Sequence, residues 1–148
     1  MLNPSEKELL TPSKFLNLLP EVDILYLTKK EASKLVPGTI LSELASHLRN
    51  YTKTIIITDG SAGGFATNSE ESFRFGTYSD ICPKDLSGTE DAFGSGFLAA
   101  LASGQSFRKS LTFGSANATS VSLRIGPTDG ILTGNEKLHE MPIQKVEL

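Results

Sequence analysis

The stretch DLSGTEDAFGSGF, Asp85 to Phe97, sets two carboxylates, Glu90 and Asp91, directly behind a Ser87-Gly88-Thr89 turn and ahead of an apolar run. Amides of a turn and of the first helical residues point to one place in front of a helix, where the aligned peptide dipoles add about half a positive charge. A phosphate held there by the N–H groups of Gly88, Thr89 and Glu90 would lie close to Asp91. Asp91 is then placed to accept the proton of a hydroxyl that attacks the phosphate. The same residues also read as ordinary acidic capping, because carboxylates stabilise a helix start by themselves. Spacing leaves both readings open.

Other glycine-rich and polar stretches carry weaker signals. GSGFLA, Gly94 to Ala99, matches a dinucleotide fingerprint in form, but its glycines fall beyond the helix start rather than in a strand-to-helix turn. No P-loop pattern and no G-x-S-x-G elbow occurs in the chain. Thr28 and Glu31 in TKKE have capping-box spacing. Thr58, Gly60 and Gly63 in TDGSAGG fit a glycine-rich turn after a strand. Asn117 sits between Ala116 and Ala118, small residues that suit a helix packing face.

The elements that must position these residues follow from periodicity. TPSKFLNLL reads as a helix capped by Thr11 and closed by Pro20, and VDILYLT as a buried strand. KKEASKLV forms a short helix, and Ile40 to Tyr51 a second one whose apolar stripe leaves out His47. KTIIIT is another strand, followed by a hairpin through GFAT, NSEE and SFRFGTY. Two apolar strands separated by amphipathic helix favour a parallel β-α-β unit. Ala92 to Ser103 and a helix capped by Ser106, running to about Arg124, complete a helical pair.

Composition narrows the partners. With 148 residues the chain fits a single domain, 1–148, and needs no disulfides to hold a core. A net charge of -3 and a pI near 5.4 give no field for polyanions, so nucleic acid is not an expected partner. One cysteine, Cys82, and two histidines offer neither a disulfide framework nor zinc-ligand spacing. No apolar run is long enough for a membrane helix and the first residues lack signal-peptide character, so the expected location is cytoplasmic.

On these motifs the chain resembles the PfkB, or ribokinase-like, family of sugar and nucleoside kinases. The family signature runs approximately D-T-x-G-A-G-D-x-F-x-x-G-F, and Asp85, Gly88, Asp91, Phe93, Gly96 and Phe97 agree with it. LYLTKKEA is similar to the family's strand followed by N-x-x-E, with Thr28 replacing the asparagine, and IIITDGSAGG to its V-T-x-G-x-x-G. FGSANATSVSLRIGPTDGI resembles the A-N-A-A helix and the loop after it. The resemblance implies a three-layer α/β/α fold, here a partial domain with a mostly parallel sheet and a β-hairpin. It implies ATP-dependent phosphorylation of a hydroxyl on a sugar or nucleoside-like small molecule. ATP, Mg2+ and a monovalent cation such as K+ are the implied cofactors. Asp91 would be the base and Gly88, Thr89 and Glu90 the anion hole, with Thr58, Gly60, Gly63 and Asn117 on the nucleotide and Glu31 and Asp85 near the metal.

Two departures matter. Thr89 and Glu90 replace the family's alanine and glycine, and glutamate adds bulk and negative charge beside the phosphate. The resemblance covers about residues 22–132, whereas family members are about twice as long and carry their sugar-contacting half N-terminally. The expectation is therefore a C-terminal fragment, a half-length relative or one part of a split protein, which self-associates or pairs with an N-terminal half through an exposed strand edge and apolar surface. The competing reading is a catalytically impaired nucleotide-binding or interaction module of the same fold.

Overall fold

The computed structural model describes residues 1–78, 81–136, 138 and 141–148. Where length alone suggests one domain, the chain divides into two compact units, Met1–Gly76 with Gln144–Leu148, and Thr77–Ile143.

In the first unit, Pro12 occupies the first position of α1 (Pro12–Leu16), where its fixed φ suits a helix start. Thr11 makes no side-chain cap bond, and a separate 3-10 turn, Leu19–Glu21, forms around Pro20. The helix is accordingly shorter than its sequence pattern predicts. The apolar run of β1 (Ile24–Thr28) leads directly into α2 (Lys29–Leu35). The predicted capping box closes this junction: the Glu31 N–H donates to Thr28 Oγ1 at 3.3 Å and the Thr28 N–H to Glu31 Oε2 at 2.8 Å. On α3 (Leu41–Leu48), Leu44, Ala45 and Leu48 are buried and His47 is exposed, as the stripe predicts.

The helices α2 and α3 carry the chain back to β2 (Thr54–Thr58), parallel to β1 with Leu25 opposite Ile55 and Leu27 opposite Ile57. β3 (Gly64–Thr67) and β4 (Ser72–Phe75) then form the predicted hairpin. Both the β2–β3 and the β3–β4 pairings are antiparallel. The sheet is therefore mixed, which corrects the expectation of a mostly parallel one. The connections after β2 and β3 are too short for a crossover, which takes a dozen or more residues.

Leu25, Leu27, Ile55, Ile57 and Phe65 share one sheet face and form a core with Phe15, Leu19, Ala32, Leu35, Leu44 and Leu48. Tyr26, Ile56, Ala66 and Phe73 alternate with them and are also buried, which explains the continuous apolar runs in β1 and β2. The first residues run along the β1 edge. The Leu2 N–H donates to the Ile24 carbonyl at 2.8 Å and the Tyr26 N–H to the Leu2 carbonyl at 2.9 Å.

In the second unit, α4 (Thr89–Ala102) and α5 (Phe107–Ser122) pack as a pair. The Ser106 hydroxyl accepts from the Lys109 N–H, as its capping position predicts. The rings of Phe97 and Phe107 meet edge to face at 5.8 Å. α4 begins at Thr89 rather than Ala92, so Glu90 and Asp91 lie inside its first turn. The strand β5 (Ile143–Val146), which belongs to the first unit from Gln144 on, follows β4 in the sheet order and is not foreseen from its weak alternation. Among the described residues no helix is long and apolar enough to cross a membrane.

Gly63 has φ +85°, and a Cβ there would lie 2.1 Å from the Phe75 carbonyl oxygen. Gly63→Ala is expected to destabilise the protein by about 2–4 kcal/mol in urea titrations, combining left-handed strain with a backbone clash. Gly104→Ala meets open space and should cost only about 1 kcal/mol. Equal costs would contradict this account of the β2–β3 turn.

Candidate functional site

The strand ends of the first unit gather one group of predicted residues. Thr28 and Thr58 are the last residues of the parallel strands β1 and β2 and lie opposite each other in register. Carboxyl ends of parallel strands are where open α/β sheets bind ligands. Beyond Thr58, the Asp59 N–H donates to the Gly63 carbonyl at 2.8 Å and the Gly63 N–H to the Gly60 carbonyl at 3.1 Å, folding Gly60 and Gly63 into a tight turn. Lys29 Nζ reaches Asp59 Oδ2 at 2.9 Å between the two strand ends. Both side chains are more than a third exposed, so this ion pair contributes little stability. Glu31, expected near a metal, accepts from the Thr28 N–H through Oε2.

The second unit holds the other group at the start of α4. Gly88 is the N-cap with φ +74°, and a Cβ there would approach the Pro127 carbonyl oxygen to 2.3 Å. Glycine is thus required twice, by the left-handed backbone and by the neighbouring chain. No side chain caps α4, although the first N–H groups of any helix lack intrahelical partners. Thr89 turns inward locally: its N–H meets the Leu86 carbonyl at 3.3 Å and its hydroxyl donates to the same oxygen at 2.9 Å. Glu90 and Asp91 are exposed in the first turn, where the helix dipole favours negative charge. The arrangement joins the positive end of a helix dipole to two exposed carboxylates.

Asp85 binds backbone on both sides of its carboxylate. Its Oδ1 accepts from the Ser87 N–H at 2.9 Å and its Oδ2 from the Gly126 N–H at 3.0 Å. These bonds, the one from Ser87 foremost, hold its carboxyl below the ordinary aspartate range. Asp85 therefore fastens the turn before α4 to the loop after α5. Among the described residues, no group of three or more His, Cys, Asp or Glu could hold a metal ion. Glu31 and Asp85 do not form a protein cage for Mg2+, an ion that keeps several waters and is usually carried on substrate phosphates.

Asn117, expected beside a base, is 2% exposed inside the helix pair. Its Nδ2 donates to the Ala92 carbonyl at 2.7 Å and its Oδ1 accepts from the Leu132 N–H at 2.8 Å. Both ends of the amide are thus bound within the second unit, to the first turn of α4 and to the loop after α5. Pro127 and Leu132 are the site neighbours that sequence reasoning does not single out. The Gly-Pro pair at Gly126 and Pro127 marks a turn, but only folding shows what it faces.

The family model described as pfkB family carbohydrate kinase matches residues 1–133. An ATP-dependent 6-phosphofructokinase of Thermoanaerobacterium thermosaccharolyticum is 35% identical over 101 residues, covering 68% of this chain and 31% of that protein. The structure of adenosine kinase from Sinorhizobium meliloti matches with a TM-score of 0.72 and 27% identity, over 79% of this chain and 36% of that one. A putative ribokinase II from E. coli, in complex with ATP and Mg2+, matches with a TM-score of 0.76 and 21% identity, over 88% and 44% of the two chains. At that identity the last likeness bears on fold alone. The ribokinase-like α/β fold read from the signature is borne out. The chain spans 31% of the length of the curated relative and less than half of each of these structures.

The Asp85 clasp has a pH signature. Its folded-state pKa is lowered, so its stabilisation is complete above the ordinary aspartate value of about 4 and is lost as pH falls through the lower folded value. The gap in urea midpoint between the natural protein and Asp85→Asn should shrink as the pH is taken from 7 to below about 4. A gap that stays constant over that range would show that the clasp does not depend on the carboxylate charge.

Proposed function

The chain belongs to the pfkB family of carbohydrate kinases, and on that premise we propose that it is the nucleotide-binding and catalytic half of an ATP-dependent kinase. The acceptor is a hydroxyl of a sugar or nucleoside-like molecule. The observation that carries this reading is the start of α4, where a helix without a side-chain cap places exposed Asp91 in its first turn.

Asp91 accepts the proton of the acceptor hydroxyl while the hydroxyl oxygen bonds to the γ-phosphorus. The bond from that phosphorus to the β–γ bridging oxygen breaks, and ADP leaves with the electron pair. Amides of Gly88, Thr89 and Glu90 are proposed to face the charge that builds on the transferred group. Thr58, Gly60 and Gly63 are proposed as nucleotide contacts on the first unit. Mg2+, when bound with the nucleotide, neutralises phosphate charge.

Glu90 favours a second reading, a nucleotide-binding module with impaired turnover. Unit charges about 4 Å apart repel by about 4 kcal/mol at an effective dielectric of 20. Successive helical residues turn by about 100°, so the Glu90 side chain leaves the helix in a different direction from Asp91.

Two measurements test the pair of readings. With a panel of sugars, sugar phosphates and nucleosides, Asp91→Asn should lower phosphoryl transfer about 100-fold or more. Its Mg-ATP affinity in calorimetry should stay near that of the natural protein. Undiminished turnover would remove Asp91 from the mechanism. Glu90→Gly should bind Mg-ATP about tenfold more tightly if glutamate opposes the phosphate. Tight binding by the natural protein with no turnover on any acceptor would favour the impaired module.

A further inference from the structure

We propose that Asn117 is a positioning residue for the α4 start, holding its first turn and the loop after α5 in one arrangement. The inference rests on the reading of that helix start as the phosphate site. Its basis is the pair of opposed bonds from one buried amide. Nδ2 donates to the Ala92 carbonyl and Oδ1 accepts from the Leu132 N–H, and turning the amide over would set oxygen against oxygen and donor against donor.

Ala92 directly follows Asp91, and its N–H donates to the Gly88 carbonyl at 2.8 Å. One peptide neighbour of the proposed base is therefore held from the N-cap on one side and from Asn117 on the other. Leu132 ends a segment whose other end, Gly126, is bound by Asp85. Between these anchors Pro127 lies against Gly88. The loop after α5 is thus fastened to the helix start at Asp85, at Gly88 and, through Asn117, at Ala92.

The sequence makes room for this amide. A Cβ on Gly96 would come within 2.9 Å of the Asn117 Cβ and 3.1 Å of its Nδ2. Both polar atoms of Asn117 are satisfied in a low-dielectric interior, where hydrogen bonds are stronger and an unpaired group is costly. A small error in the placement of Asp91 or the amides before it would lower binding of the transferred group.

The test uses this chain with two variants. Asn117→Asp keeps the acceptor for Leu132 and removes the donor to Ala92. Gly96→Ala keeps every hydrogen-bonding group, improves helix propensity and crowds the Asn117 side chain. Far-UV circular dichroism selects folded variants, calorimetry gives Mg-ATP affinity, and residue-resolved amide exchange reports on 90–93 and 132. Each folded variant should bind Mg-ATP about tenfold more weakly, Asn117→Asp through the lost bond to Ala92 and Gly96→Ala through displacement of the Asn117 side chain. Exchange should rise together at Leu132 and in the first turn of α4, with α2 and α3 unchanged. Should Asn117→Asp fail to fold, Gly96→Ala decides alone. Natural affinity in the folded variants would overturn the proposal. Failure of the natural protein itself to bind Mg-ATP would instead overturn the kinase reading. Exchange then decides the positioning role: a joint rise supports it, and a rise confined to Leu132 overturns it.

Discussion

A helix start must satisfy backbone donors that the helix itself cannot, and the way α4 meets this requirement organises the second unit. Its N-cap is a glycine in the left-handed conformation, so the N-cap residue supplies no side-chain cap. Pro127 approaches that glycine too closely for a Cβ, and the turn before it is bound through Asp85 to the loop after α5. Backbone donors without a side-chain cap are what phosphate recognition requires. They serve it only if the surrounding chain prevents the turn from relaxing into another cap.

Two carboxylates that the signature motifs single out act on backbone. Glu31 accepts from the N–H at the start of α2, and Asp85 accepts from two loop amides. Both are at positions where the family resemblance suggests a metal. In the structure both orient the chain through charge-assisted bonds, which are stronger than neutral ones. Asp91, by contrast, lies exposed in the first turn of α4.

The mixed sheet has a related logic in the first unit. The parallel pair β1 and β2 brings Thr28 and Thr58 side by side, and the antiparallel hairpin after β2 forces the glycine turn at residues 60–63. Gly63 is explained by the turn alone, since Phe75 leaves no space for a side chain. Packing and ligand approach make the same demand here, which is why a glycine pattern by itself does not distinguish them.

Local chemistry was legible from the residues themselves. The Thr28–Glu31 capping box, the Ser106 cap, the α3 stripe and the hairpin depend on neighbours within a few positions, and spacing determines them. The signature from Asp85 to Phe97 determined the family and the place of Asp91, because a turn feeding a helix start is also a local arrangement. Tertiary structure alone decided where Asp85 and Asn117 point. Their partners, Gly126, Ala92 and Leu132, are 41, 25 and 15 positions away, so only the folded loop and helix pair bring donor and acceptor within reach. Once the interior closes, burial obliges each polar group to find a partner there. That requirement drew the amide of Asn117 inward, to the helix start it holds.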